Sequence, residues 1–326
     1  MNFAIAFAAL AIDRFFPLFR LFSKWKSHPL ARHPVEWQGM LISFFESRWN
    51  DMQTNALQRR SAGIFMLIIL IAVTFSISFL LLFIFGFLPF SWIFEALVAS
   101  VLLAGSDLKK AVSSVAAGLE TSLEEARSRV AHIVGRDTKT LDEHEISRAA
   151  IESLAENSSD GLIAPLFWLV LLGLPGIAVY KAINTADSMV GHLSERYRDF
   201  GWASARLDDL ANWLPARLSA LLYVVSAGFL SLEAVRNSWR VAVEDAPNHT
   251  SPNAGWPEAA LAGALGFGLG GPRRYEGVTL DLPAMGKGKR DLTSADILEA
   301  LKLYSRMSEI VLVLVGAFAL IQIMVF

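Results

Sequence analysis

The sequence predicts an all-α, polytopic membrane protein with broken or re-entrant helices and a cytoplasmic helical region. The strongest observation is an uncharged run of 34 residues from Ser61 to Phe94, because one bilayer crossing needs only about 20 apolar residues. Composition agrees, since 54% of the 326 residues are hydrophobic and 18% are charged, compared with about 25% charged residues in soluble domains. These observations exclude an ordinary soluble enzyme.

The chain totals exclude several further classes of function. The formal net charge is −2, so no overall basic field is present to bind nucleic acid. The chain has no cysteine, which excludes disulfides, thiolate metal sites, iron–sulfur clusters and cysteine nucleophiles. The apolar stretch 1–12 lacks a basic region and a cleavage site, so we expect a retained membrane-associated segment and not a signal peptide.

Five apolar segments are candidate membrane segments of a single polytopic domain, 1–326. Two of them would form a hairpin, because Gly86 and Pro89 supply turn chemistry between them. Basic residues flank both open ends of this hairpin, so the positive-inside rule places both ends in the cytoplasm. The five predicted segments are 62–86, 90–106, 161–180, 213–232 and 308–326.

Segment 161–180 has a pattern different from that of the other four. It carries no charge, but Gly173 and Pro175 interrupt it. A helix broken in this way is tolerated at membrane depth where it lines a cavity or is buried in protein. The sequence therefore predicts a broken or re-entrant helix here.

Two polar regions are predicted to lie in the cytoplasm. Positions 107–156 carry seven Lys or Arg and ten Asp or Glu, so region 107–160 is predicted to be a cytoplasmic helical region. Its second helix would begin with a capping box formed by Thr121 and Glu124. Region 245–295 is predicted to be a cytoplasmic polar loop. We therefore expect a multi-pass protein of the inner membrane whose active site faces the cytoplasm.

The first polar constellation is a stripe of charges that runs into segment 161–180. Arg148, Glu152 and Glu156 are spaced four residues apart and share one helix face. Carboxylates this close to an apolar segment are costly unless a cation lies among them. We therefore predict that Glu152, Glu156 and Asp160 hold Mg²⁺. The alternative is a solvated helix face with an ordinary Arg–Glu pair.

The second constellation follows segment 161–180 directly. Lys181, Asn184, Asp187 and His192 are predicted to lie along a helix that continues from the apolar segment. Polar residues clustered next to a membrane segment indicate a functional site, so we predict catalytic roles for Lys181, Asp187 and His192 and substrate binding for Asn184. A lysine that snorkels toward water is the alternative for Lys181, but it leaves Asn184 and Asp187 unexplained.

The third constellation, Asp208-Asp209-x-x-Asn212, is a weaker signal. Asp208 and Asn212 lie one helical turn apart, so the group could bind a metal–phosphate unit. Paired acids before a membrane helix are also common as its solvated cap. We include Asp208, Asp209 and Asn212 among the predicted substrate-binding or phosphate-binding residues.

The fourth constellation is a loop that runs from His249 to Arg290. Glycines beside Arg and Lys indicate an anion cradle made of backbone N–H groups and cations, although we interpret Gly266 and Gly268 as helix-packing residues. No P-loop sequence occurs. His249 is predicted to be catalytic. The other predicted substrate-binding or phosphate-binding residues are Arg136, Asp137, Ser251, Asn253, Glu258, Arg273, Tyr275, Lys287 and Arg290.

These blocks, taken in order, resemble the CobD/CbiB family of cobalamin biosynthesis proteins. The resemblance extends from about His33 to Arg290, which is most of the chain. The stretches that carry it are HPVEWQGMLI, VGRDTKTLDEHEISRAAIESLAENSSDGLIAPLFW, YKAINTADSMVGH, FGWASARLDDLANWLPARLSA, HTSPNAGWPEAALAGALG and LGGPRRYEG.

The resemblance implies an adenosylcobinamide-phosphate synthase. Such an enzyme joins (R)-1-amino-2-propanol phosphate, or aminopropanol, to the free propionate carboxylate of adenosylcobyric acid as an amide. The reaction consumes ATP, and Mg²⁺ accompanies the ATP. The implied partners are therefore the corrinoid, the aminopropanol substrate and membrane lipid, with no nucleic acid, together with possible homo-oligomers and other late cobalamin-pathway enzymes.

Two alternatives come from other functional classes. A membrane transferase acting on a polyprenyl or CDP-lipid diphosphate is suggested by Asp208-Asp209 and the broken helix, but the usual pair of spaced Asp-rich motifs is missing. A non-catalytic membrane sensor like the distant AmpE relatives is the other alternative. The presence of all four polar constellations argues against a sensor.

Overall fold

The computed structural model describes residues 1–16, 33–271, 273–275, 278–280 and 283–325, with only the backbone described for 273–275 and 278–280. Within these residues the chain forms twelve α-helices and four short strands. The helices are α1 Asn2–Phe15, α2 Pro34–Trp49, α3 Ala56–Phe85, α4 Ser91–Leu102, α5 Gly105–Leu119, α6 Leu123–Val130, α7 Glu143–Ser158, α8 Ala164–Val190, α9 Trp202–Ser226, α10 Leu232–Asp245, α11 Gly255–Leu265 and α12 Ser294–Val325.

Irregular turns and two strand pairs complete the described secondary structure. A π-helical turn, Ser159–Ile163, lies between α7 and α8, and 3-10 turns cover Ala227–Phe229 and Ala246–Asn248. The strands pair antiparallel, two by two. The pairs are β1 Leu269–Gly270 with β4 Ala284–Met285, and β2 Arg273–Tyr275 with β3 Val278–Leu280.

Four helical stretches of the described chain are long and apolar enough to cross a membrane, which confirms the prediction of an all-α polytopic protein. Four of the five predicted membrane segments overlap these stretches. Predicted segment 213–232 begins instead in α9, which is not among them. The four stretches are Ala56–Phe85, Ser91–Leu119, Glu143–Val190 and Ser294–Val325.

The described residues group into two compact units. The first unit contains Met1–Ala104, Ala164–Ala211 and Leu314–Phe326, and the second contains Gly105–Ile163 and Asn212–Val313. The described residues of both predicted polar regions, 107–160 and 245–295, therefore fall within the second unit.

In the first unit, α2 and α8 lie against α3 around an apolar core. Ile42, Met66 and Phe200 are fully buried in this core. Gly63 of α3 permits the close approach, because a Cβ at this position would overlap the carbonyl oxygen of Phe200. A glycine inside an apolar helix therefore marks the place where backbone meets backbone.

The predicted break in segment 161–180 is confirmed at Gly173. Its φ of +67° and ψ of −157° interrupt α8, a conformation that only glycine adopts without strain. Pro175 has no N–H group and so removes a further helical hydrogen bond. The side chain of Asn2 donates from Nδ2 to the carbonyl oxygen of Val170 at 3.1 Å. A side chain from α1 thus satisfies a carbonyl group next to the break.

Side-chain caps fix the start of five described helices, among them α3, α6 and α7. Asn55 and Asp142 each form a capping box that begins α3 and α7, respectively. The start of α6 differs from the prediction by one residue, because the Oγ atom of Ser122 accepts a hydrogen bond from the Glu125 N–H group at 3.1 Å. The predicted cap at Thr121 is therefore wrong. Both hydroxyl residues have a Glu three positions ahead, so the pattern alone did not separate them.

In the second unit, α10 and α11 pack closely through small residues. A Cβ at Gly263 would collide with the backbone of Asn237, and the Ser238 hydroxyl donates to the carbonyl oxygen of Ala260 at 2.8 Å. Gly266 has a different role from the one predicted, because it has open space around it and a φ of +67°. It ends α11 as a left-handed cap, and its interpretation as a packing residue is wrong.

Candidate active site

A chain of polar side chains crosses between α8 and α9 in the first unit. Lys181 Nζ donates to Asn184 Oδ1 at 3.4 Å, and Asn184 Nδ2 donates to Asp208 Oδ1 at 3.4 Å. Asp208 is only 8% exposed. Both distances are at the long end for hydrogen bonds. Small side-chain movements on substrate binding would be enough to shorten both contacts. The structure thus joins a residue of the third predicted constellation to two residues of the second.

The other predicted residues of the second constellation lie toward the end of α8. Asp187 is half-buried, and its carboxylate lies beside Gly191, where a Cβ would overlap it. Its carbonyl oxygen accepts from the Gly191 N–H group at 2.7 Å as the helix ends. His192 is exposed beyond that end. Asp187 therefore stays a candidate at the helix terminus, and His192 lies outside the Lys181–Asn184–Asp208 chain.

Asp208 and Asp209 have separate surroundings although they are adjacent in sequence. Consecutive helical residues point about 100° apart, and Asp209 faces Arg206, with 3.7 Å between the carboxylate and the guanidinium. Burial raises the pKa of Asp209, and the charge of Arg206 opposes this shift. Asn212 is buried at 1% exposure. Asp208, but not Asp209, belongs to the polar chain of the first unit.

In the second unit, Glu152 connects α7 to the glycine-rich turn of β1. Its Oε1 accepts from the Gly270 N–H group at 2.7 Å, and its Oε2 lies 3.3 Å from the guanidinium of Arg136. The side chains of Glu152 and Arg136 are 7% and 11% exposed. A buried carboxylate needs a paired cation and further hydrogen bonds, and Glu152 has both within the protein.

The remaining acids of the predicted magnesium site have different positions. Glu156 is exposed, and Asp160 is half-buried in the π-helical turn. Among the described residues, no three His, Asp or Glu side chains form a group that could hold a metal ion. Glu152 already has protein partners at both oxygens, so these three carboxylates do not fit a magnesium site made by the protein alone. Magnesium binding by Glu152, Glu156 and Asp160 stays a prediction.

The alternative interpretation of the same stripe, an Arg148–Glu152 pair, does not match the contacts of Arg148. Its Nη1 donates to the carbonyl oxygen of Arg290 at 2.7 Å. The side chain of Arg290 in turn donates from Nη2 to the carbonyl oxygen of Gly270 at 2.9 Å. Arg148 thus contacts the backbone of Arg290, and the side chain of Arg290 contacts the same glycine, Gly270, whose N–H group donates to Glu152.

Four glycine N–H groups of the predicted anion cradle already have acceptors within the protein. The N–H groups of Gly268, Gly270, Gly271 and Gly286 donate to Lys289 O, Glu152 Oε1, Pro283 O and Asp245 Oδ2, respectively. Because these donors are occupied, phosphate binding in this region would depend on cationic side chains.

Lys287 is exposed. Arg273 and Tyr275 lie in β2, but the structure describes only their backbone. The predicted binding role of each therefore stays a prediction. Asp137 caps the following turn by accepting from the Lys139 N–H group at 3.0 Å.

The loop before α11 is ordered by its own side chains. The Ser251 N–H group donates to His249 Nδ1 at 3.0 Å, and His249 Nε2 lies 3.8 Å from Glu258 Oε1. The Ser251 hydroxyl accepts from the N–H groups of Asn253 and Ala254, each at 3.2 Å. Glu258 is 1% exposed. The contacts of His249, Ser251 and Glu258 therefore hold this loop in one conformation, and any catalytic role of His249 stays a prediction.

Arg217 is a residue of the second unit that the sequence analysis did not predict as part of the site. Its Nη1 donates to Asn253 Oδ1 at 2.7 Å. Its guanidinium lies over two indole rings, 4.9 Å from the Trp213 ring and 4.8 Å from the Trp256 ring, a favourable cation–π arrangement. The spacing of Trp213 four residues before Arg217 was the available signal. Arg217 orients Asn253, one of the predicted substrate-binding residues.

Comparison with known proteins gives one consistent family. A family model described as CobD/Cbib protein matches residues 6–304. A cobalamin biosynthesis protein CobD from Sinorhizobium sp is 48% identical over 271 residues, covering 81% of this chain and 83% of the relative. Proteins of the same name from Brucella anthropi and Halalkalibacterium halodurans are 43% and 41% identical. They cover 92% and 88% of this chain and 92% and 90% of the relatives.

No solved structure matches this chain. The range matched by the family model, residues 6–304, contains the polar chain of the first unit, the glycine turn of the second and all four constellations. The chain belongs to the CobD/CbiB family and takes part in cobalamin biosynthesis.

Proposed function

We propose that the protein is an ATP-dependent amide ligase, an adenosylcobinamide-phosphate synthase of the membrane. Its substrates would be adenosylcobyric acid and (R)-1-amino-2-propanol phosphate, or aminopropanol itself. The observation that carries this proposal is the Lys181–Asn184–Asp208 chain, because an ammonium group, an amide and a buried carboxylate lie together between α8 and α9. Polar groups in such surroundings are costly and indicate function.

The chemistry requires activation of the acid. A carboxylate and an ammonium group do not condense at neutral pH. We propose that the corrinoid carboxylate oxygen attacks the terminal phosphorus of ATP, which forms an acyl phosphate and releases ADP. The amine nitrogen then attacks the acyl carbon, the C–O bond to phosphate breaks, and the nitrogen loses a proton as the amide forms. Each turnover thus yields the amide, ADP, phosphate and a proton.

The polar chain of the first unit offers groups for the second of these steps. The Lys181 ammonium group is suited to stabilise the negative charge that develops on the acyl oxygen. Asp208 is suited to accept the proton of the attacking amine, because a positioned carboxylate is a general base. Asn184 contacts both residues, so it would hold their spacing.

Mg²⁺ is proposed to enter with ATP. Magnesium in phosphoryl-transfer sites keeps several waters and is held through one or two carboxylates plus the substrate phosphates. Glu156 and Asp160 remain the predicted carboxylates, since both are at least partly accessible. No step is assigned to the ion. The proposed location is the inner membrane with the active site facing the cytoplasm, where ATP is available.

The test is product formation by the purified full chain in detergent or nanodiscs. Incubation with adenosylcobyric acid, aminopropanol phosphate and Mg-ATP should give a product whose mass increases by that of the aminopropanol phosphate less one water. Lys181→Met and Asp208→Asn should each lower kcat by more than about tenfold, a barrier increase above ~1.4 kcal/mol. Lys110→Met, at an exposed lysine of α5, is the matched control and should retain wild-type turnover.

Absence of the amide product with wild-type protein that is inserted and folded would contradict the ligase proposal and favour a non-catalytic membrane protein. Product formation that survives both Lys181→Met and Asp208→Asn would keep the ligase but remove the polar chain of the first unit from its active site.

A further inference from the structure

A cavity of about 660 Å³ lies in the second unit and belongs to none of the four constellations. It is bounded by α5, by α12 and by the residues that follow α9. Both polar and apolar side chains line it. The lining includes Lys109, Phe229, Leu230, Leu298, Lys302 and Arg306.

The charged lining of the cavity is positive overall. It consists of three cations, Lys109, Lys302 and Arg306, and two carboxylates, Glu299 and Glu309. Lys302 pairs with Glu299 at 2.7 Å and Arg306 with Glu309 at 3.1 Å, and all four side chains are more than 40% exposed. Exposed pairs of this kind contribute little, so the two cations can turn to a stronger anionic partner. Lys109 is exposed and forms no ion pair within the described part of the chain.

The other side of the same cavity is apolar and open. Phe229, Leu230 and Leu298 are 63%, 50% and 42% exposed. The guanidinium of Arg306 lies 5.4 Å from the centroid of the Phe229 ring, so the charged and apolar sides meet at this residue pair. An inorganic anion would use only the charged side. An amphiphile would use both.

The cavity lies where two apolar helical stretches become polar. The stretch Ser91–Leu119 has no charged residue from 96 to 106, and Asp107, Lys109 and Lys110 follow. The helix α12 carries its last charge at Glu309 and continues without charge to its end. This change of composition is typical of the level of the lipid headgroups, where Lys and Arg side chains contact phosphates.

We propose that this cavity binds the headgroup of an anionic glycerophospholipid. Lys109, Lys302 and Arg306 hold the phosphodiester through charge-assisted hydrogen bonds. The glycerol and the first part of an acyl chain lie along Phe229 and Leu230. The net positive lining selects an anionic headgroup such as phosphatidylglycerol over a zwitterionic one such as phosphatidylcholine.

The test is native mass spectrometry of the purified full chain with equimolar phosphatidylglycerol and phosphatidylcholine. Wild-type protein should retain phosphatidylglycerol preferentially. Lys109→Gln should lower this preference about fivefold, since one Lys or Arg near a membrane surface contributes about 1 kcal/mol to the binding of anionic lipid. The double variant Lys109→Gln/Arg306→Gln should abolish it. Lys110→Gln removes the neighbouring exposed lysine, which does not line the cavity, and should leave the preference unchanged.

A gain-of-binding variant keeps the proposal testable if the double variant fails to fold. Glu299→Gln removes a negative charge from the lining and releases Lys302, so it should increase the phosphatidylglycerol preference. Equal retention of the two lipids by wild type, or equal losses in Lys109→Gln and Lys110→Gln, would overturn the proposal. Displacement of the lipid by millimolar inorganic phosphate would assign the cavity to a small soluble anion and overturn it as well.

Discussion

The helices α3 and α8 have similar apolar compositions but opposite surroundings. In α3, side chains such as Phe65 and Phe79 are 61% and 58% exposed, whereas in α8 Leu169 and Ile177 are fully buried. The most apolar window of Ala56–Phe85 is 17% buried, and that of Glu143–Val190 is 67% buried. The first exposes most of its side chains, as expected for a helix in contact with lipid. The second is surrounded by protein.

The comparison shows that apolarity alone does not distinguish a lipid-facing helix from a buried one. Lipid tails are as apolar as leucine, so both surroundings accept the same side chains. What separates the two helices is their content of helix breakers and polar groups. The helix α8 contains Gly173, Pro175 and the Lys181–Asn184 pair, which lipid would not satisfy.

The largest expected effect comes from the same substitution made in both helices. Leu169→Ala removes side-chain atoms from a closed core and should lower the free energy of unfolding by about 2–5 kcal/mol. Leu80→Ala, at a position 55% exposed, should change it by less than about 0.5 kcal/mol, because lipid or detergent fills the space. Unfolding of both variants in mixed micelles, followed by circular dichroism, measures the difference. Equal losses would remove the distinction between the two helices.

A second prediction concerns the close approach of α3 to the backbone of Phe200. Gly63→Ala would push a methyl group into the carbonyl oxygen of Phe200, and overpacking of this kind should cost about 1–3 kcal/mol. Gly135→Ala is the control, since no atom lies within 4 Å of a Cβ built there. The thermal midpoints of the two variants measure the effect. A Gly63→Ala variant as stable as the control would indicate that α3 contacts lipid at this level as well.

The smallest expected effect is a pH dependence of stability that arises from Asp209, next to Asp208 of the polar chain between α8 and α9. The pKa of Asp209 is raised above its ordinary value of 3.8, chiefly by burial. A carboxyl group whose pKa is higher in the folded chain favours folding at pH values below its ordinary pKa. This contribution to stability is lost as the pH rises through the raised pKa. Wild type should therefore lose stability relative to Asp209→Asn over that window. Because the side chain is a third exposed, we expect less than about 1 kcal/mol.

Thermal midpoints of wild type and Asp209→Asn, measured from below pH 4 to pH 7, give this dependence. Asp208→Asn is not a substitute, since Asp208 belongs to the polar chain. A constant difference between wild type and Asp209→Asn across the range would show that the carboxyl is solvated in the folded protein.

The sequence predicted features that depend on neighbouring residues. The apolar runs indicated the membrane class, Gly173 and Pro175 indicated the break, and Lys181 with Asn184 indicated one polar face. These predictions succeed because helical periodicity and backbone geometry are local properties. The choice of Ser122 over Thr121 as a cap lay beyond this information, because each hydroxyl had a suitable Glu three residues later.

Features that depend on distant contacts were not predicted. Glu152 was expected to pair with Arg148 or a metal, but its partners are Arg136 and the Gly270 N–H group, the latter 118 residues away. The glycine N–H groups were expected to bind an anion, but the strand pairing and Asp245 use them. Sequence spacing shows which groups can meet along one helix. The contacts between residues far apart in sequence depend on the tertiary fold.

The contact of Asn2 with Val170 also has a consequence for the order in which the protein is made. The two residues are 168 positions apart. At roughly 5–20 residues per second, a ribosome needs about 8–34 seconds to travel from one to the other. During that interval the side-chain amide of Asn2 cannot form this hydrogen bond, because Val170 has not yet been synthesised. We expect the contact between α1 and α8 to form only after α8 has left the ribosome, so this part of the fold is completed long after α1 itself has been made.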